Sequence, residues 1–139
     1  VSVDNGVVAP GQQSREDHVT VAMGDMTGPF DPHLSRRLAA LARDAGIPHC
    51  RDVFRYYRSD VAAAMEAGTE TRAALLGFGV DASHGAERTH LESVEGVARL
   101  LTVYLQTELV LGSWDEAPGA LRDFPSSGQP ADEHDPTAR

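Results

Sequence analysis

Two periods alternate along the chain. "VSVD" is apolar-alternating and predicts a strand ending at Asp4, with Asn5-Gly6 as a turn signal behind it. "GQQSRED" reads as polar loop, and "HVTVAMGD" from His18 to Asp25 as a strand rich in β-branched residues. Asp31-Pro32 predicts an N-cap followed by Pro at the first helical position. Leu34, Leu38, Leu41, Ala42 and Ala45 then mark one helical face, which Gly46 and Pro48 close. "HCRDVFRYY" is a strand candidate of mixed polarity, and Ser59 or Asp60 caps a short helix, "VAAAMEA", that stops at Gly68. "TRAALLGFGV" is nearly continuous apolar sequence, which predicts a central strand covered on both faces. Thr89 and Glu92 have capping-box spacing, and Leu91, Val94, Ala98, Leu101 and Leu105 form one stripe along a last helix.

This alternation predicts an α/β fold, a layered domain with a mixed sheet flanked by helices. Residues 19–22 and 72–80 are expected in one sheet, with helices 32–45 and 91–106 packed on it. The domain should span residues 1–107. Residues 108–139 form an acidic tail rich in Pro, Gly and Ser, expected to be disordered because it has little to bury. The chain opens on Val in what reads as a strand already under way, so we expect it to be a segment of a larger protein.

Composition narrows the function. The 139 residues carry a formal net charge of -9 and no Lys, and the Arg residues are scattered, which argues against nucleic-acid binding through phosphates. No run approaches a membrane span. The single cysteine, Cys50, suits a reducing compartment, and we expect the cytoplasm. No G-x-G-x-x-G, P-loop or G-x-S-x-G motif occurs.

Ionisable residues cluster where predicted strands end: Asp4, Asp60, and the group Asp81, His84, Glu87 and His90. Ligands of open α/β sheets collect at such ends, and a carboxylate with an imidazole is a donor pair that zinc accepts. Each has an ordinary alternative. Asp4 suits a turn, Asp60 an N-cap, His84 a backbone hydrogen bond, His90 a cap or packing role, and Cys50 a small buried hydrophobe. Arg51, Arg55 and Arg58 suit a solvated strand face, although an Arg at a site rim can hold a substrate carboxylate.

"VDN", "AGIPHCRDVFRYYRSDVAAAMEAG" and "FGVDASHGAERTH" followed by an amphipathic helix resemble the C-terminal half of the M42 metallo-aminopeptidases. The branch most similar is the one associated with synthesis of the osmoprotectant N-acetylglutaminylglutamine amide. The likeness runs from about Val1 to Gln106. It implies part of a zinc-peptidase-like fold that holds two divalent ions, zinc or cobalt, about 3.5–4 Å apart and hydrolyses peptides. Asp4 matches the aspartate that completes one ion's shell, and His84 the histidine that completes the other's. Asp60 matches the aspartate of a supporting turn, where Arg58-Ser59-Asp60-Val61 replaces the family's glycine-rich form. Arg58 and Glu87 are supporting or substrate-contacting candidates.

The family's bridging aspartate and Glu-Glu pair of base and ligand have no counterpart here, since no Glu-Glu pair occurs in the chain. The resemblance therefore implies a C-terminal fragment of an aminopeptidase, inactive alone, its general base expected upstream. The full-length protein would take a peptide substrate and form a homo-oligomer. The alternative is a non-catalytic α/β binding or assembly module.

Overall fold

The computed structural model describes residues 1–108. The expected tail thus falls outside the described residues, apart from Glu108. Strands β1 (Ser2–Val7), β2 (Val19–Asp25), β3 (Gly28–Pro29), β4 (His49–Phe54) and β5 (Leu75–Val80) form one mixed sheet. Helices α1 (Pro32–Asp44), α2 (Asp60–Glu66) and α3 (Leu91–Gln106) complete the domain. β5 runs parallel to β1 on one side and antiparallel to β2 on the other. β4 joins the second edge of β2 in parallel, and β3 makes a short antiparallel pair with Gly24 and Asp25. Among the described residues, no helix is long and apolar enough to cross a membrane.

Side chains alternate across a pleated sheet, so the two faces can be read from neighbouring residues. Val19, Val21 and Leu76 face α1 and α3 and build the main core with Leu34, Leu38, Leu41, Val97 and Leu100. Ala22, Phe54 and Leu75 face the other way, against Phe30, Ala73 and Val61 of α2. Leu75 and Leu76 are 2% and 0% exposed, which fits a central strand with two covered faces.

β1 departs from expectation. It does not end at Asp4, and Asn5-Gly6 is no turn. Asn5 pairs with Phe78 and Gly6 with Gly79, so the ladder to β5 overrides a local turn preference.

α1 begins as expected, with the Leu34 amide donating to Asp31 Oδ1 at 2.7 Å and Pro32 next. Gly46 (φ +64°) closes it by donating to the Arg43 carbonyl at 3.1 Å. α3 has the expected bounds but a different cap. His90 Nδ1 accepts from the Glu92 amide, while the Thr89 hydroxyl donates to the Gly79 carbonyl and ties the helix to the end of β5.

The predicted stripe of α3 is not its buried face. Leu91, Val94 and Leu105 are 67%, 39% and 79% exposed, and the sheet side carries Ser93, Gly96, Val97 and Leu100 instead. Small side chains explain the choice. A Cβ on Gly96 would lie 2.8 Å from Val19 Cγ2, so this face can approach the sheet more closely than the leucine stripe could.

Candidate functional site

A cavity of about 80 Å³ gathers Asp4, Asn5, Asp25, Arg58, Ser59 and His84 over an apolar wall of Val7, Phe54 and Leu75. It is not a crevice at one set of strand ends. Asp25 closes β2 and Phe54 closes β4, but Asp4 lies inside β1 and Leu75 opens β5. Because β2 and β5 are antiparallel, the carboxyl end of one meets the amino end of the other. The loop after β5 brings His84 to the same cavity. Asp4 and His84, from opposite ends of the described sequence, therefore line one space.

That loop is tightly specified. Asp81 and Arg88 exchange backbone hydrogen bonds at 2.9 and 3.1 Å, and Arg88 also binds the carboxylates of Asp81 and Glu16. Its hydrogen bond from Arg88 pulls the Glu16 carboxyl below its ordinary range. Glu87 accepts from the His84 amide at 3.1 Å and from the Asn5 side chain at 3.4 Å, linking the loop to β1. His84 itself adopts φ +67°, a left-handed conformation uncommon for residues other than Gly. Of the ionisable residues in this loop, Asp81, Glu87 and Arg88 hold its shape, His90 caps α3, and His84 faces the cavity.

The opposite wall is a clamp. Asp25 is buried and accepts hydrogen bonds from the amide and hydroxyl of Thr27 and from the amide and hydroxyl of Ser59, both Ser59 bonds at 3.0 Å. Burial pushes its pKa up, but the Thr27 and Ser59 donors outweigh that and leave it lowered. The clamp explains why Ser59, at the N-cap position of α2, donates no side-chain cap to its helix. Met26 adds a backbone bond to Tyr57 at 3.0 Å, so residues 57–59 are pinned to the end of β2.

Asp60, expected in the supporting layer, is exposed and does not line the cavity. Ser59 and Asp25 do. Arg58 lines the rim, and its guanidinium donates to Glu66 at the far end of α2. Cys50 lies away from the cavity, its thiol pushed up by burial and in contact with the Thr20 hydroxyl and Val19 carbonyl. That is an inert environment for a thiol.

Asp25 escaped the reading of the sequence, although Asp25-Met26-Thr27 has the spacing of an Asx-turn in which the acid accepts from the amide two residues on. Asp52 escaped too. It is buried and accepts from the amides of Gln13 and Ser14 and from the Ser14 hydroxyl, anchoring the loop that follows β1.

The donor set fits a divalent ion in kind, with a carboxylate and an imidazole on one cavity, but not in number. Among the described residues, no group of three or more His, Cys, Asp or Glu could hold a metal ion. A zinc ion takes about four ligands, at least three from protein. Among the described residues, the cavity thus lacks the ligands that would fill a zinc shell.

Comparison with known proteins identifies the family. Residues 1–100 match the profile of the M42 glutamyl aminopeptidase family. "Putative aminopeptidase YhfE" of Bacillus subtilis (strain 168) is 37% identical over 110 residues, which is 79% of this chain and 32% of that protein. Among solved structures, a dodecameric PhTET1-12s shares the fold at a TM-score of 0.66 and 19% identity, over 77% of this chain and 32% of its own. The Pyrococcus horikoshii TET1 peptidase, described as assembling into a tetrahedron or a large octahedral shell, matches at 0.64 and 18%, over 77% and 32%. The chain spans about a third of the length of these relatives.

Proposed function

Since the chain belongs to the M42 family, we propose that it forms the C-terminal part of the catalytic domain of a metal-dependent aminopeptidase. The observation that carries this reading is the meeting of Asp4 and His84 on one cavity. Each would lend one ligand to one of two divalent ions, zinc or cobalt, and segments beyond these residues would supply the other ligands and the general base. The chemistry such ions would supply is polarisation of the scissile carbonyl and easier deprotonation of the attacking water.

The chain's own residues do the positioning. Asp4 Oδ1 accepts from the Asn5 amide at 2.8 Å, which restrains the carboxylate, and its second oxygen would be the one to meet an ion. Glu87 fixes the His84 backbone. The Asp25–Ser59 clamp holds Arg58 at the rim, where a guanidinium attracts an acidic side chain or carboxylate of an incoming peptide. Within the family we assign the chain to the branch associated with the osmoprotectant, on "RDVFRYYRSD" and "GVDASHGAERTH". We further propose a cytoplasmic protein that forms homo-oligomers, a state supported by the exposed Leu91, Val94 and Leu105 of α3. On this reading the isolated chain is inactive.

The test is metal analysis and peptidase assay of the full-length protein carrying His84→Ala or Asp4→Asn. Both variants should lose bound metal and activity together. Retention of full metal content by both would sink the assignment.

A further inference from the structure

A second groove, of about 300 Å³, lies between α1 and β4 and is lined by Arg36, Ala39, Ala40, Arg43, His49 and Arg51. Arg36 and Arg43 are two turns apart on one flank of α1, while His49 and Arg51 alternate along β4 and share a sheet face. None of the lining residues is acidic. The neighbouring Asp44 takes only Arg43 Nε, at 3.1 Å, so both terminal nitrogens of that guanidinium stay available. Among the described residues, the side chains of Arg36 and Arg51 make neither a hydrogen bond nor an ion pair. His49 Nδ1 donates to the Ile47 carbonyl at 2.9 Å, which leaves Nε2 for a ligand.

A chain of net charge -9 thus gathers three guanidinium groups and an imidazole around an alanine floor. Their mutual repulsion is not offset by carboxylates in the groove. Guanidinium forks from two facing elements suit an anion with several oxygens, which each fork can grip in a bidentate manner. The groove is at the small end of the ~300–1,000 Å³ range that holds small molecules. We propose that this groove is a binding site for a small multivalent oxyanion, either a phosphate ester or a di- or tricarboxylate. The proposal is independent of the peptidase reading.

Calorimetric titration of the full chain with inorganic phosphate and with citrate tests it. At least one probe should saturate in the millimolar range or tighter. Each arginine lost removes charge-assisted hydrogen bonds to the anion, so Arg36→Gln with Arg51→Gln should weaken binding by roughly tenfold or more. Arg55→Gln, outside the groove, should leave affinity unchanged and reports on net charge alone. Saturation by phosphate only points to a phosphate ester, and saturation by citrate only to a polycarboxylate. The proposal is overturned if neither probe saturates, if the double variant binds as tightly as the parent, or if Arg55→Gln weakens binding as much. Both substituted arginines are exposed, so unchanged circular dichroism should confirm that the double variant folds.

Discussion

His84 occupies a left-handed conformation that a non-glycine residue reaches at a cost of about 1–2 kcal/mol. Its amide is held by Glu87, and the loop is closed by the Asp81–Arg88 bridge, so the surroundings over-determine the strained residue. His84→Gly should relieve that strain but give back about 0.4–1 kcal/mol through the freer unfolded chain. A net gain of about 0.5 kcal/mol is expected in urea unfolding, whereas His84→Ala keeps the strain and gains nothing. A His84→Gly variant less stable than His84→Ala by about 0.4–1 kcal/mol would show that the conformation carries no strain. Asp25 makes a different prediction. Its folded pKa is lowered, so its contribution to stability is fully present above the usual carboxylate range and is lost as pH falls through the folded pKa. Asp25→Asn should cost about 1–3 kcal/mol at neutral pH and flatten the acid limb of stability measured between about pH 2 and 6. An unchanged acid limb would remove Asp25 as its source. The Asx-turn half of this clamp was legible from Asp25-Met26-Thr27. The Ser59 half was not, because only folding brings the start of α2 to the end of β2.

Among the elements, boundaries were more legible than faces. Caps and breakers are local, and Asp31-Pro32, Gly46 and the onset at Leu91 bound α1 and α3 as the pattern predicts. Which side of α3 turns inward is not local. The hydrophobic stripe is the obvious choice, but the sheet admits only the face with Ser93 and Gly96, because the helix must sit close to Val19 and Ile47. Gly96→Ala tests this. Alanine should gain about 1 kcal/mol in helix propensity, yet its methyl must push against Val19 at 2.8 Å, an overpacking that costs about 1–3 kcal/mol. A net loss of about 1 kcal/mol is expected from denaturant midpoints. A stabilised variant would mean that the helix can shift outward freely. β1 teaches the converse lesson. Asn-Gly is a strong turn signal, but register-matched pairing with β5 along its whole length prevails.

At the scale of the whole molecule, the mixed sheet brings Asp4 and His84 to one cavity from elements far apart in the chain. Asp4 sits inside β1 and His84 in a loop after β5, and the antiparallel meeting of β2 with β5 adds Asp25 to the same space. Asp4 and His84 could be singled out as candidate donors from residue types and resemblance. The resemblance also implied that Asp4 and His84 face one cleft, and both line the same cavity; the part that Asp25 and Ser59 take in it could not be read, because it depends on strand order. On the proposed metallopeptidase reading, Asp4 and His84 would each serve a different ion, and single donors chelate poorly, since a stable site needs at least three protein ligands on one ion. The 139-residue chain alone should therefore bind zinc weakly and without fixed stoichiometry in equilibrium dialysis. The full-length protein should hold metal tightly. There, His84→Ala should lower metal content together with activity, while His90→Ala should cost only about 0.5–2 kcal/mol of stability through the lost cap. Tight stoichiometric zinc on this chain alone would show that its residues complete a shell by themselves. Loss of metal in the His90 variant but not the His84 variant would reverse the assignment of the two histidines.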